Sequence, residues 1–288
     1  MIKRIYTILS FVFLSVTIYG QDVTFSQFYE QPLLRNPALA GVFTGDLRVS
    51  AIYRNQWQSI SVPFRTGFFS VEKKIISPYS NNTATIGLQA GMDAAGDIAL
   101  KRSHIMPAFN YSKSLNGEKD EYLSLGIMAG RVNSQFDPTQ LKLGDQWQGG
   151  GFSSSNPSLQ IIENTGYSYW DAAVGLSYSS IIKESTRFYL GAALFHFTQP
   201  KINVNNGNSQ ATLNQKMVFN LGINHSFSEK SRLIAFADYF KQGQNKQFLF
   251  GAMYAADIIT ADEYSKSLTI QMGSFMRWGD AIIPMIKI

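Results

Sequence analysis

Five stretches of the chain alternate strictly between apolar and polar or small side chains, and a period of two is the signature of a strand with one greasy face. In Ala84 to Asp93 the apolar set is Ala84, Ile86, Leu88, Ala90 and Met92, against Thr85, Gly87, Gln89, Gly91 and Asp93. Trp170 to Ser179 opposes Trp170, Ala172, Val174, Leu176 and Tyr178 to Asp171, Ala173, Gly175, Ser177 and Ser179, with aromatics at both ends of the apolar row. Met217 to Ser226 sets Met217, Phe219, Leu221 and Ile223 against Val218, Asn220, Gly222, Asn224 and Ser226. Tyr122 to Arg131 and Leu268 to Gly273 repeat the split, and glycine collects on the polar face. A strand crossing a bilayer needs about 9 to 11 residues and carries aromatic belts at the interfaces, so these stretches have the length and ends of membrane-crossing strands.

Composition points the same way. Charged residues make up 16% of the chain, against about 25% in ordinary soluble domains. Yet the mean hydropathy of -0.08 is too polar for a bundle of membrane helices. A β-barrel satisfies both facts. A soluble β-sandwich also alternates, but the apolar rows here run uninterrupted by charge and the strands are long for a sandwich.

Lys3 and Arg4 precede an uncharged run from Ile5 to Ile18, then Tyr19, Gly20 and polar Gln21 and Asp22, which is the pattern of a secretory leader cleaved after Gly20. The organisation expected is a signal peptide over 1–20, a plug or periplasmic segment over 21–45 and an outer-membrane barrel over 46–288. Strands are predicted near 46–55, 64–74, 84–93, 100–112, 121–134, 169–180, 187–197, 216–227, 232–241, 246–256, 267–278 and 281–287. With both chain ends in the periplasm, the long fifth and seventh connections, Gln135 to Ser168 and Thr198 to Gln215, face outward. If twelve strands are the full set, the last must pair with the one beginning near Asp46, because an open edge in lipid leaves backbone groups unpaired.

Signs of chemistry are sparse. The net charge of +5 includes Lys3 and Arg4, and no later block of Lys and Arg tracks phosphates, so nucleic acid is not an expected partner. The absence of cysteine excludes disulfides, thiolate zinc sites and a lipidated N-terminal cysteine. His104, His196 and His225 are scattered without metal-ligand spacing and read as lone interior or interfacial histidines. The triplet Gly149-Gly150-Gly151 between Trp147 and Phe152 reads as a mobile loop tip, with partner binding as the lesser reading. Asp120-Glu121 and Asp262-Glu263 read as solvated turn charges. No catalytic residue, metal or cofactor is expected, and the chain is not expected to be an enzyme.

Four stretches remain: Phe25-Ser26-Gln27-Phe28-Tyr29; Asn36-Pro37-Ala38-Leu39-Ala40-Gly41, with Pro32 and Pro37 breaking any long helix; Tyr53-Arg54-Asn55-Gln56-Trp57; and Arg277-Trp278-Gly279-Asp280-Ala281-Ile282-Ile283-Pro284. Taken in this order they resemble the PorP/SprF family of Bacteroidota outer-membrane proteins. The resemblance implies a barrel of about fourteen strands, of which twelve are visible, in a chain incomplete at its C terminus. It also implies a role in the type IX secretion system, in secreting or retaining a large surface adhesin or other cargo with a C-terminal domain, and in gliding motility in some members. The partners implied are outer-membrane lipid, that cargo domain and periplasmic components of the secretion system. The motif positions Phe25, Ser26, Gln27, Asn36, Pro37, Ala38, Gly41, Tyr53, Arg54, Asn55, Gln56, Trp57, Arg277, Trp278, Asp280 and Pro284 are expected to be architectural. The competing function is a porin or a channel for hydrophobic substrates, and a third is a surface-anchoring barrel with no secretion role.

Overall fold

The computed structural model describes residues 22–116, 120–160, 165–203, 210–259 and 268–288. The leader expected over 1–20 and the pair Asp262-Glu263 lie outside the described residues. Twelve long strands form one antiparallel sheet in which each neighbour in sequence is a neighbour in space. Its first five are β1 (Leu47–Gln56), β2 (Phe64–Ile76), β3 (Thr83–Ala95), β4 (Leu100–Asn116) and β5 (Glu121–Gln135). Two short ribbons sit in the long connections: β6 (Trp147–Gln148) with β7 (Gly151–Phe152), and β10 (Lys201–Asn203) with β11 (Gln210–Thr212). The sheet continues through β8 (Gly166–Ile182), β9 (Thr186–Phe195), β12 (Lys216–Ser228), β13 (Ser231–Gln242), β14 (Asn245–Ile259), β15 (Leu268–Arg277) and β16 (Ala281–Lys287).

All twelve expected crossings are present, most of them one to four residues longer than the alternation marks. No helix among the described residues is long and apolar enough to cross a membrane, a test that does not bear on strands. Connections alternate between two ends of the sheet. The long ones, 136–165 and 196–215, lie at one end, termed the long-loop end, and the tight ones, such as 183–185 and 229–230, at the other, the short-turn end.

Burial along the strands is the reverse of that in a soluble sheet. In β5, Leu123, Leu125 and Ile127 are exposed, whereas Ser124, Gly126, Met128, Gly130, Val132 and Ser134 are buried. In β12 the exposed set is Met217, Phe219, Leu221 and Ile223, and the buried set includes Lys216, Val218 and Asn220. In β3, Ile86, Leu88 and Met92 face out while Thr85 and Gln89 face in. Water would favour the opposite arrangement, by about 25 cal/mol for each Å² of apolar surface covered, so the outer face calls for an apolar solvent.

The polar face covers the segment from Asp22 to Gly41, and Thr44 to Asp46 are exposed. The segment enters at the long-loop end, makes a 3-10 turn at Phe28–Glu30, one α turn at Pro32–Arg35 and another 3-10 turn at Pro37–Leu39, and leaves at the short-turn end where β1 begins. Pro32 and Pro37 each begin a turn, where the missing N–H costs nothing, and the turn begun by Pro32 cannot extend past Pro37. Leu33, Ala38, Leu39 and Ala40 are fully or almost fully buried. The sheet curls around this segment from edge to edge: Arg54 of β1 donates to the Thr24 carbonyl at 2.7 Å, and Lys287 of β16 pairs with Glu30 at 2.7 Å. No ladder joins β1 to β16 among the described residues, so the conditional expectation of a closed twelve-stranded ring is not met. The β16 edge is short, and Pro284 contributes no donor, which an edge strand tolerates.

Candidate functional site

The enclosed segment is held by polar groups that no surface strand would keep inside. Arg35, 3% exposed, donates through Nε and Nη2 to the two carboxylate oxygens of Asp238 on β13 at 2.6 and 2.5 Å. Its Nη1 donates to the Tyr189 hydroxyl at 2.8 Å, and the guanidinium lies over the rings of Phe28 and Phe236. Burial works against the charged guanidinium, but Tyr189 and Asp238 outweigh it and raise its pKa above the ordinary value. A second buried carboxylate, Glu72 on β2, accepts from Arg48 Nε and Nη2 at 3.0 and 2.7 Å and from the Gly41 N–H at 3.2 Å. Beside them Phe28 and Tyr29 stack into a cluster with Phe236 and Phe275, and the Tyr29 hydroxyl reaches the Met285 sulfur on β16.

The Asn36-Pro37-Ala38 stretch touches the sheet wall directly. Asn36 Oδ1 accepts from the Ala38 N–H at 2.8 Å, capping the 3-10 turn, while its Nδ2 donates to the carbonyls of Leu176 and Ala192 at 3.2 and 3.3 Å. Ser177 donates to the Ala38 carbonyl at 2.9 Å and Asn110 to that of Ala40 at 2.6 Å. This approach needs bare backbone opposite it: a Cβ on Gly126 would overlap Pro37 and Ala38, and one on Gly191 would come within 2.7 Å of Asn36 Nδ2. Gly126, Gly175 and Gly191 are therefore the imprint of this segment.

At the long-loop end a second ionic group forms. His196 follows β9 and bonds Asp171 of β8 through Nδ1 at 2.7 Å and Asp22 through Nε2 at 2.6 Å. Arg102 and Lys216 approach Asp22 at 3.6 and 3.9 Å, and Arg102 also donates to the Tyr169 hydroxyl. Burial alone would raise the Asp22 carboxyl, but the hydrogen bond and charge of His196, with Lys216 and Arg102, hold it well below the usual carboxylate range. Burial likewise opposes charge on His196, yet its two aspartates raise it to about 9. At the short-turn end the segment floors a cavity of about 890 Å³, walled by Ser112, Ser124, Tyr122, Phe188 and Asn224 with Lys74 and Arg187 near its rim.

The motif positions expected to be architectural fall into several settings. Phe25, Asn36, Pro37 and Ala38 are buried in the enclosed segment, and Gly41 ends it at a φ of +83 with its N–H on Glu72. Ser26 and Gln27 lead into the first 3-10 turn, where the Gln27 carbonyl accepts from the Glu30 N–H. Arg54 joins two motifs, its guanidinium lying over the Phe25 ring at 5.4 Å while it bonds Thr24. Arg277 pairs with Asp280 across the Trp278-Gly279 turn. Tyr53, Trp57, Trp278 and Pro284 face outward, Asn55 bonds Gln58, and Gln56 closes the ladder opposite Phe64.

One expectation needs correction. His196 is no lone histidine: it bridges two aspartates, because Asp22 and Asp171 come from remote parts of the chain. The triplet Gly149-Gly150-Gly151 falls at the tip of a small hairpin, Gly149 and Gly150 forming its two-residue turn with positive φ angles of 63° and 87°, and Trp147 facing Phe152 at 6.1 Å. His225 bonds Thr186, and Asp120 lies in the turn before β5, which Glu121 begins while accepting from Tyr178. The reading from sequence missed Asp22, Arg35, Glu72, Asp171, Asp238 and Lys216. For Glu72, Asp171, Asp238 and Lys216 the one signal was charge at positions in register with the polar rows. No group of three His, Cys, Asp or Glu among the described residues is arranged to hold a metal ion.

The profile of a protein family described as type IX secretion system membrane protein PorP/SprF matches residues 17–288. No curated protein matches the chain.

Proposed function

The chain belongs to the PorP/SprF family of type IX secretion system membrane proteins, and we propose that it acts there as an outer-membrane β-barrel whose lumen is filled by its own N-terminal plug. The observation that carries this reading is the inverted burial of the strands, with leucine, isoleucine and phenylalanine outward and serine, asparagine and glutamate inward. Only lipid makes that arrangement favourable over a whole sheet. A leader cleaved near Gly20 would bring the chain to that membrane.

Within the secretion system the protein supports the export or surface attachment of a large adhesin or other cargo with a C-terminal domain, and in some members gliding motility, by docking rather than by turnover. The motif residues build the plug and its seat; cargo and periplasmic components meet the loops and rims around them. A filled lumen supports docking over free diffusion: Phe28, Tyr29, Leu33 and Leu39 occupy the space a porin keeps open to water. The cavity at the short-turn end favours a second reading, a substrate channel, because it extends into the lumen from one side. Deleting the gene tests the proposal: cargo with type IX C-terminal domains should be lost from the cell surface. Normal surface levels of every such cargo would refute it, and large steady currents through the pure protein in a planar bilayer would favour the channel.

A further inference from the structure

Three basic side chains from separate parts of the sheet aim at one carboxylate that the sheet itself does not own. Arg102 projects from β4, Lys216 begins β12 and His196 follows β9, and all three meet on Asp22, the first described residue of the enclosed segment. Lys216 and His196 are 6% and 4% exposed. Convergent cations of this kind, two of them almost fully buried, make a carboxylate-binding site. The geometry is imposed by its surroundings, since His196 is held at a φ of +54, where a side chain with a Cβ is strained.

Asp22 to Phe25 is attached more lightly than the turns C-terminal to it. These residues belong to no helix or strand, and they are tied by the Asp22 N–H to Gln242 at 2.9 Å, by Arg54 to the Thr24 carbonyl and by the Phe25 ring on Phe68 at 5.4 Å. From Phe28 onward the Arg35, Asn36 and aromatic contacts fix the chain. Beneath the first residues lies a cavity of about 70 Å³ floored by Leu34, Met106, Met128, Val132 and Phe195. Gln89 Nε2 and His104 Nε2 in its lining find no hydrogen-bond partner among the described residues.

We infer that Arg102, His196 and Lys216 form a carboxylate-binding site at the long-loop end, that Asp22 fills it as an internal ligand, and that residues 22–25 are a latch over the cavity below. A carboxylate-bearing ligand arriving from that end competes with Asp22 and lifts the latch. The inference concerns the protein alone and stands whether or not the secretion role does.

The sequence contains no cysteine, so a single reporter thiol is unambiguous. Val132→Cys places it beneath the latch, and Val218→Cys places a reference thiol in the wall, both positions being almost fully buried. In the full chain in detergent micelles, both should resist a charged maleimide. Adding Asp22→Gly should raise labelling at position 132 by roughly tenfold or more and leave position 218 protected, as local opening requires. Asp22→Glu should stay protected. Formate added to the Val132→Cys protein with Asp22 intact should speed labelling, while chloride at equal ionic strength should not. Continued protection of position 132 without Asp22 would overturn the latch, and so would labelling of both thiols together. A formate effect no different from that of chloride would overturn the carboxylate site.

Discussion

Replacing Asp238 with asparagine keeps the shape of the side chain and removes one charge from the interior. Arg35 then loses its counter-charge and one of the two charge-assisted hydrogen bonds at 2.5 and 2.6 Å, because the amide nitrogen donates and only the amide oxygen accepts, and it keeps the Tyr189 hydroxyl and the faces of Phe28 and Phe236. Each such bond contributes about 1.5–3 kcal/mol, and each cation–ring contact about 0.5–2 kcal/mol when desolvated. With the guanidinium at 3% exposure no water replaces the carboxylate, so the cost should resemble that of breaking other buried pairs, about 3–5 kcal/mol. That is about a hundredfold or more in the folding equilibrium. The paired substitution Arg35→Met with Asp238→Leu removes both charges and should return to within about 1 kcal/mol of the parent, because the desolvation penalty disappears with the attraction. Urea titration in detergent micelles, followed by tryptophan fluorescence and by the heat-dependent shift in gel mobility typical of folded barrels, reads both variants. A cost below about 1 kcal/mol for Asp238→Asn, or a double variant as unstable as the single one, would show that the pair is not what seats the segment.

The outer face and the His196 bridge give two further tests. Ile127→Arg, midway along β5 on the exposed apolar row, should cost about 2–4 kcal/mol in a bilayer, whereas Leu159→Arg in the long fifth connection should be close to neutral; equal membrane yields for the two would deny that β5 faces lipid. Because the His196 pKa is raised from an ordinary 6.5 to about 9, its bridge contributes fully below pH 6.5 and is lost as pH climbs through 9. Stability measured from pH 6 to 10 should therefore fall more steeply for the parent than for His196→Gln, and parallel curves would contradict the bridge.

The twelve crossings were legible because each carries its own record. Leu123, Leu125 and Ile127 alternate with Ser124, Gly126 and Met128 whatever the rest of the chain does, and that rhythm alone sets which side meets lipid. The enclosed segment was legible only in outline: Pro32 and Pro37 forbid a long helix, and glycines on the polar rows mark somewhere crowded. Its fastenings were not legible, since Arg35 and Asp238 stand 203 positions apart and nothing local distinguishes Asp238 from a solvated strand charge. His196 misled for the same reason. Its two carboxylates lie 25 and 174 positions away, and one of them sits beside the expected leader cleavage point.

The path of the enclosed segment also constrains the order of assembly. The residues made first end up in the middle, in contact with β16, the last strand: Tyr29 meets Met285 across 256 positions of chain. No partial product that lacks β13 can neutralise Arg35, and none that lacks β16 can cover Tyr29. Closing such loops before any contact rewards them is slow, so the nascent N terminus must wait, unpacked, while some two hundred residues of sheet are laid down around it. The buried charge and the aromatic cluster of the segment therefore gain their partners only when the last strands of the sheet arrive.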